Sequence, residues 1–201
     1  MNDSYHHGDL KNALIRAGLE ILAQEGVQAL SLRQVAKRAG VSHTAPYAHF
    51  ADKQALIAAI AAEGYRQLYA QVSAAADLYP DDPRQRLIET AWAYVQFALD
   101  APDQFRVTFS GLLEREQDYP EYVAQAKQNF ALIVALVADC QRAGVLPPGD
   151  TDLLVVSLWA SIHGLIHLLL GNQLPSALLA HTTPRDMLLF QLNQFMHKEV
   201  P

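Results

Sequence analysis

Four residues of the run Ser31-Leu-Arg-Gln-Val-Ala-Lys-Arg-Ala-Gly40-Val-Ser-His-Thr-Ala-Pro-Tyr-Ala-His-Phe50 have the chemistry to read base edges. His43 can donate to guanine N7 or O6, and Thr44 and Ala45 offer methyl groups to thymine. Arg33, eleven residues before Thr44, suits a bidentate guanine contact worth roughly 1–3 kcal/mol of discrimination. Tyr47, His49 and Lys53 can grip phosphates, together with the Ser42 hydroxyl and the backbone amides of a helix start beside Lys53. Plainer readings stand beside these. Arg33 can be a solvated helix residue, and His49 a packed histidine satisfied by backbone. Tyr47 is partly core in either case, and Phe50 is core.

Elements must hold these side chains out. Ser31 with Gln34 three residues on signals a helix start over Leu32–Ala39, and Gly40 supplies the left-handed residue that ends it. Ala36 is small where two helices would cross, Val41 can plug the angle between them, and Ser42 can cap a short second helix. The pattern is a helix-turn-helix whose second helix carries His43, Thr44 and Ala45 in its first turn, the part that reaches base edges. Pro46 falls near the fourth position of that helix. Its missing N–H removes the bond back to the cap, so an irregular start is expected.

Leu32-Arg33-Gln34-Val35-Ala36-Lys37-Arg38-Ala39-Gly40-Val41-Ser42, then Tyr47-Ala48-His49-Phe50, then Lys53, closely resemble the amino-terminal DNA-binding domain of the tetracycline-repressor-like (TetR) family of bacterial transcriptional regulators. The resemblance covers residues 9–60. Trp159 followed by His163-Gly164 also resembles a C-terminal subtype of that family named for Trp, His and Gly. It implies a body that pairs two subunits through its last two long helices and holds a ligand cavity in each.

The rest of the chain is helical in period. Leu10, Ala13, Leu14, Ala17 and Ile21 form one stripe, Leu87, Ala91, Tyr94, Val95 and Ala98 a second, and Val123, Ala126, Phe130, Ile133, Val134 and Val137 a third. Asp52 and Asp82-Pro83 are further start signals; Gly26, Gly144 and Pro147-Pro148-Gly149 mark stops. The fold class expected is all-α: a three-helix, helix-turn-helix domain over residues 1–52 joined to a helical effector-binding and dimerisation bundle over residues 53–201. A long connecting helix from Lys53, ending within 73–80, is the expected hinge.

Leu153–Pro184 contains no Asp, Glu, Lys or Arg, and its first part has the length of a membrane span. His163, His167, Ser157 and Ser161 within it, and Asp150 and Asp152 as its flank, favour a buried bundle helix or dimer seam over a membrane. Leu154, Leu158, Leu165 and Leu169 line one face, and Leu188, Leu192 and Phe195 line a later helix; these are the expected dimer interface. Trp92, Tyr94, Phe97, Phe105, Phe109, Tyr122, Asn129, Trp159 and His163 lie on otherwise apolar helices. They are candidates for a pocket that takes a small hydrophobic or aromatic effector, although such stripes are also what a plain core requires.

His163 and His167 are four apart, the spacing by which two helical histidines share a metal. No HExxH pattern and no obvious third ligand accompanies them, so no metal or cofactor is assigned. No serine elbow, Walker loop or dinucleotide glycine fingerprint occurs, and no catalytic residue is assigned either.

Composition agrees with this reading. The 201 residues are 51% hydrophobic and 18% charged, in the globular range. One cysteine excludes a disulfide framework and fits a reducing cytoplasm. Met1–Asp9 is polar and has no leader character. The net charge of −6 argues against a protein that coats nucleic acid indiscriminately, yet residues 26–53 set four basic side chains against Asp52 alone. The expected protein is a cytoplasmic homodimer, a ligand-responsive repressor on double-stranded operator DNA. The other reading is a helical protein-docking or lipid-ligand module whose head is structural or vestigial.

Overall fold

The computed structural model describes residues 3–197, with side chains from Leu10 onward; Met1–Asp9, read above as no leader, lies outside the described side chains. Among the described residues there are helices and no strands, in the order α1 (Asp3–Glu25), α2 (Leu32–Arg38), a 3₁₀ helix (Ala45–Ala48), α3 (Lys53–Asp77), α4 (Pro83–Asp100), α5 (Pro102–Thr108), a 3₁₀ turn (Glu116–Asp118), α6 (Pro120–Arg142), α7 (Thr151–Leu170), α8 (Ser176–Leu179) and α9 (Pro184–Phe195). Many of their ends sit where the side-chain chemistry puts them. Ser31, Asp52, Asp82 and Asp150 each accept the amide three residues on, at 3.2, 2.8, 2.9 and 3.0 Å. Thr183 and Asp186 close a full capping box on α9.

The chain gathers into two compact units. One runs to Arg66 and takes back Asp103–Ala126; the other is Gln67–Pro102 with Lys127 onward. In the first, Leu14, Ile15, Ile21, Leu30, Val35, Phe50, Leu56, Ile57, Ile60 and Val107 share one core. α3 is buried on a second side as well, where Ala58, Ala61 and Ala62 meet Tyr122. Gly64 lets α5 approach closely: a Cβ there would lie 1.9 Å from Thr108 Oγ1. The room is used by the buried Gln104, whose Nε2 donates to the Ile60 carbonyl at 2.9 Å and to Thr108 Oγ1 at 3.2 Å.

In the second unit α4, α7 and α9 pack on one another. Arg185 of α9 forms a two-pronged ion pair with Glu89 of α4, and its guanidinium lies over the Trp92 ring, 5.4 Å from the centroid. α7, expected as a buried bundle helix or a dimer seam, is buried on one face only. Val155, Leu158, Ile162, Leu165 and Ile166 face inward, whereas Leu153, Val156, Ala160, Gly164 and Leu168 are exposed. It is long and apolar enough to cross a membrane, and only 28% of that stretch is buried. The reason is that a helix apolar all round has two apolar faces and one layer of neighbours covers only one of them. That choice also takes four of the seven expected interface residues off the surface of the single chain. Leu158, Leu165, Leu188 and Leu192 lie in the chain's own interior, and Leu154, Leu169 and Phe195 are half-buried.

Candidate nucleic-acid interface

The turn after α2 is built by its backbone. Gly40 sits at φ +70°, the Gly40 amide donates to the Lys37 carbonyl at 3.3 Å, and the Val41 amide donates to that of Ala36 at 3.0 Å. This pair of bonds satisfies the last carbonyls of α2 and redirects the chain sharply. Ala36 is fully buried beneath it. Arg38 holds α2 to α1, donating to Glu25 at 2.6 Å, Gln24 at 3.3 Å and Glu20 at 3.4 Å. The frame that presents the next segment is therefore fixed by hydrogen bonds and packing on both sides.

That segment is a 3₁₀ helix and not the short α-helix expected. The Ala45 amide donates to Ser42 and the Tyr47 amide to Thr44, both three residues back, at 3.0 and 3.2 Å. Pro46, between them, has no amide to give back to Ser42, so the first α-type bond is missing, and a four-back bond appears only at the end, from the Phe50 amide to the Pro46 carbonyl at 2.9 Å. Consequently Thr44, not Ser42, takes the cap position, and no side chain caps this helix. The Ser42 and Thr44 hydroxyls lie 3.2 Å apart instead. Pro46 itself is buried, anchoring the segment to the core.

The polar side chains around it point outward. Arg33, Ser42, His43 and Thr44 are exposed, Ala45 is half-buried, and Tyr47 keeps 61% of its surface in solvent. Tyr47 is thus no part of the core, while Phe50 is 3% exposed and packs within it. His49 is half-buried, its ring tilted against Phe50 with centroids 6.2 Å apart. Lys53 is half-buried and donates to the backbone carbonyl of Val27. It ties the loop after α1 to the start of α3, a role its sequence position did not announce.

The candidate effector residues fall into two groups in different units. In the first unit the Phe105 ring lies tilted against Phe109 at 5.0 Å, and Tyr65, which the sequence reading missed, meets Phe109 and Tyr122 edge-on at 5.4 and 5.7 Å. Tyr122 donates to Glu116 at 3.1 Å and lines a small recess with Ile57, Ala61 and Val107. Burial first, and then the Tyr65 and Glu116 neighbours, raise the Tyr122 hydroxyl well above the ordinary phenol range. In the second unit the Trp159 indole N–H donates to the Tyr94 hydroxyl at 3.2 Å, and that hydroxyl lies 2.6 Å from His163 Nδ1. Burial, with His167 as the smaller cause, holds His163 below the usual imidazole value. Phe97 is core at 1% exposure, Asn129 is a buried polar residue, and Trp92 lies beneath Arg185.

Residues 14–60 match the family model for bacterial regulatory proteins of the tetR family. Residues 87–189 match that for the tetracyclin repressor-like C-terminal domain, half of the chain by themselves. The chain belongs to the TetR family.

Among TetR-family relatives, the tetracycline repressor protein class A from transposon 1721 of Escherichia coli is 36% identical over 96 residues, which are 48% of this chain and 43% of that one. The chain's matches span half or less of the length of the curated relatives. A solved protein of unknown function from Rhodococcus sp. RHA1 is similar over 96% of this chain and 97% of its own, with 31% identity and a TM-score of 0.79. A bacterial regulatory protein in the tetR family from Rhodococcus RHA1 shares the fold, with a TM-score of 0.71 and 23% identity over 92% of this chain and 94% of that one. The TetR-family models cover both the turn at Gly40 and the helices that carry Tyr94, Trp159 and His163.

Proposed function

We propose that this TetR-family protein is a ligand-responsive repressor that binds a palindromic operator as a homodimer in the cytoplasm. The observation that carries the reading is the outward set Arg33, Ser42, His43, Thr44 and Tyr47 on a frame held by Gly40, Arg38 and Pro46. Arg33 and His43 read base edges; Ser42, Tyr47, His49 and Lys53 grip phosphates; Thr44 and Ala45 supply apolar contacts. Residues 1–52 do the DNA work and residues 53–201 the sensing and pairing. Regulation, and not catalysis, is the activity.

The exposed apolar face of α7, Leu153, Val156, Ala160, Gly164 and Leu168, supports pairing of two copies. A two-fold dimer presents its reading segments to half-sites about 34 Å apart. The Tyr94, Trp159 and His163 cluster supports an effector site for a hydrophobic or aromatic molecule in a body of the Trp-His-Gly subtype. Effector binding favours a spacing of the two heads that no longer matches successive grooves. By linkage, operator DNA weakens effector binding by the same factor. α3 starts in the first compact unit and ends in the second, so it is a direct covalent route for that change.

The test is capture of sheared genomic DNA on the full-length protein, followed by sequencing, with an Arg33→Ala/Tyr47→Ala control. One enriched inverted repeat, lost in the control, is the expected result. Equal recovery of all fragments by both proteins, at moderate salt and with or without candidate effectors, rejects the reading.

A further inference from the structure

We propose that His163 and His167 form a chelating pair on α7 for a divalent late first-row transition ion, Cu²⁺, Ni²⁺ or Zn²⁺, with Tyr94 as the positioning residue behind them. Their Nε2 atoms face each other at 3.1 Å, with ring centroids 4.7 Å apart. Two metal–nitrogen bonds of about 2.0–2.1 Å set the nitrogens about 2.9 Å apart at a right angle and about 3.3 Å apart at the tetrahedral angle. The observed separation lies between these limits. The two residues are one helical turn apart on α7, which Asp150 caps and Asn172 at φ 51° ends. Their spacing is therefore held by the helix itself, and His167 is exposed, so its ring can turn toward a shared ion.

Tyr94 orients the inner ring. The indole N–H of Trp159 can only donate, so the Tyr94 oxygen accepts it and retains a second lone pair. The hydroxyl lies 2.6 Å from His163 Nδ1, on the opposite side of the ring from the Nε2 that faces His167. In the metal-bound pair the His163 ring proton sits on Nδ1 and is donated to the Tyr94 oxygen, whose own O–H turns away from the ring, leaving both Nε2 lone pairs for the ion. This is the outer-shell arrangement that fixes a histidine ligand's tautomer.

Two imidazoles select Cu²⁺, Ni²⁺ or Zn²⁺ over Ca²⁺ and Mg²⁺. Among the described residues no three His, Cys, Asp or Glu side chains come together, so the remaining positions belong to water or to a donor atom of a small ligand. The site stands whether or not the chain binds an operator.

The test uses full-length, untagged protein stripped of metal, in a H6Q/H7Q background that removes the other adjacent histidines. Titration with Cu²⁺, Ni²⁺ and Zn²⁺ is followed by calorimetry, and Cu²⁺ by electron paramagnetic resonance. The expected result is binding that His163→Gln and His167→Gln each weaken at least ~10-fold, with nitrogen coupling reduced in both. Tyr94→Phe weakens binding about 10-fold while keeping two coupled nitrogens. Because His167 is exposed, His167→Gln leaves the fold intact, checked by circular dichroism, and carries the test if His163→Gln does not. Unchanged affinity in His167→Gln, or no uptake of any of the three ions at about 100 μM in the background protein, overturns the proposal.

Discussion

The Lys53 ammonium donates to the backbone carbonyl of Val27, joining the first residue of α3 to the loop between α1 and α2. A residue offered as a phosphate contact is thus also a strut of the frame. Lys53→Ala is expected to cost about 1–2 kcal/mol of stability, read as a lower urea midpoint. It should also weaken binding to operator and random DNA alike and lower the salt slope by about one. A variant of unchanged stability would leave the Val27 contact without weight.

Arg33 is exposed on α2, where Ser31 caps the first turn, so its removal disturbs no packing. Arg33→Ala should cost about 1–3 kcal/mol on the selected operator and little on random DNA. Fluorescence anisotropy on both duplexes separates the two, and equal losses would contradict base reading.

Gly64 admits the buried Gln104 and Thr108 side chains. Alanine there would put its Cβ 2.4 Å from Gln104 Nε2 as well as on Thr108, and the amide bond to Ile60 would have to shift. Gly64→Ala should destabilise by about 1–3 kcal/mol, measured by thermal unfolding. A neutral result would mean that α5 moves away from α3 at no cost.

Cys140 is buried, with its thiol 3.2 Å from the Pro83 carbonyl. Burial first and the Asp139 carboxylate second push its pKa from an ordinary 9.0 to about 11, against a smaller lowering by Arg86. The native thiol should therefore react slowly with an alkylating reagent at pH 8 and rapidly once unfolded. Between pH 9 and 11 the unfolded chain releases this proton and the folded chain keeps it, so stability falls as pH rises through that window. Cys140→Ser should flatten that part of the stability curve.

What the sequence determines by itself is local. Ser31, Asp52 and Asp82 mark helix starts because each cap bond spans only three residues. Gly40 marks the turn because a residue at φ +70° is readily supplied only by glycine. Pro46 is legible as an irregularity, and its missing amide accounts for the 3₁₀ helix that replaces the expected one. Tertiary structure decides wherever a residue has two equivalent surroundings. α7 is apolar on every face, so only its packing against α4 and α9 turns Leu158 and Leu165 inward and Leu153 and Val156 outward. The aromatic residues of α4, α5 and α7 carry no mark of their partners. Only folding sets Arg185 over Trp92, Tyr65 against Phe109, and Tyr94 between Trp159 and His163, because those contacts join side chains from separate helices.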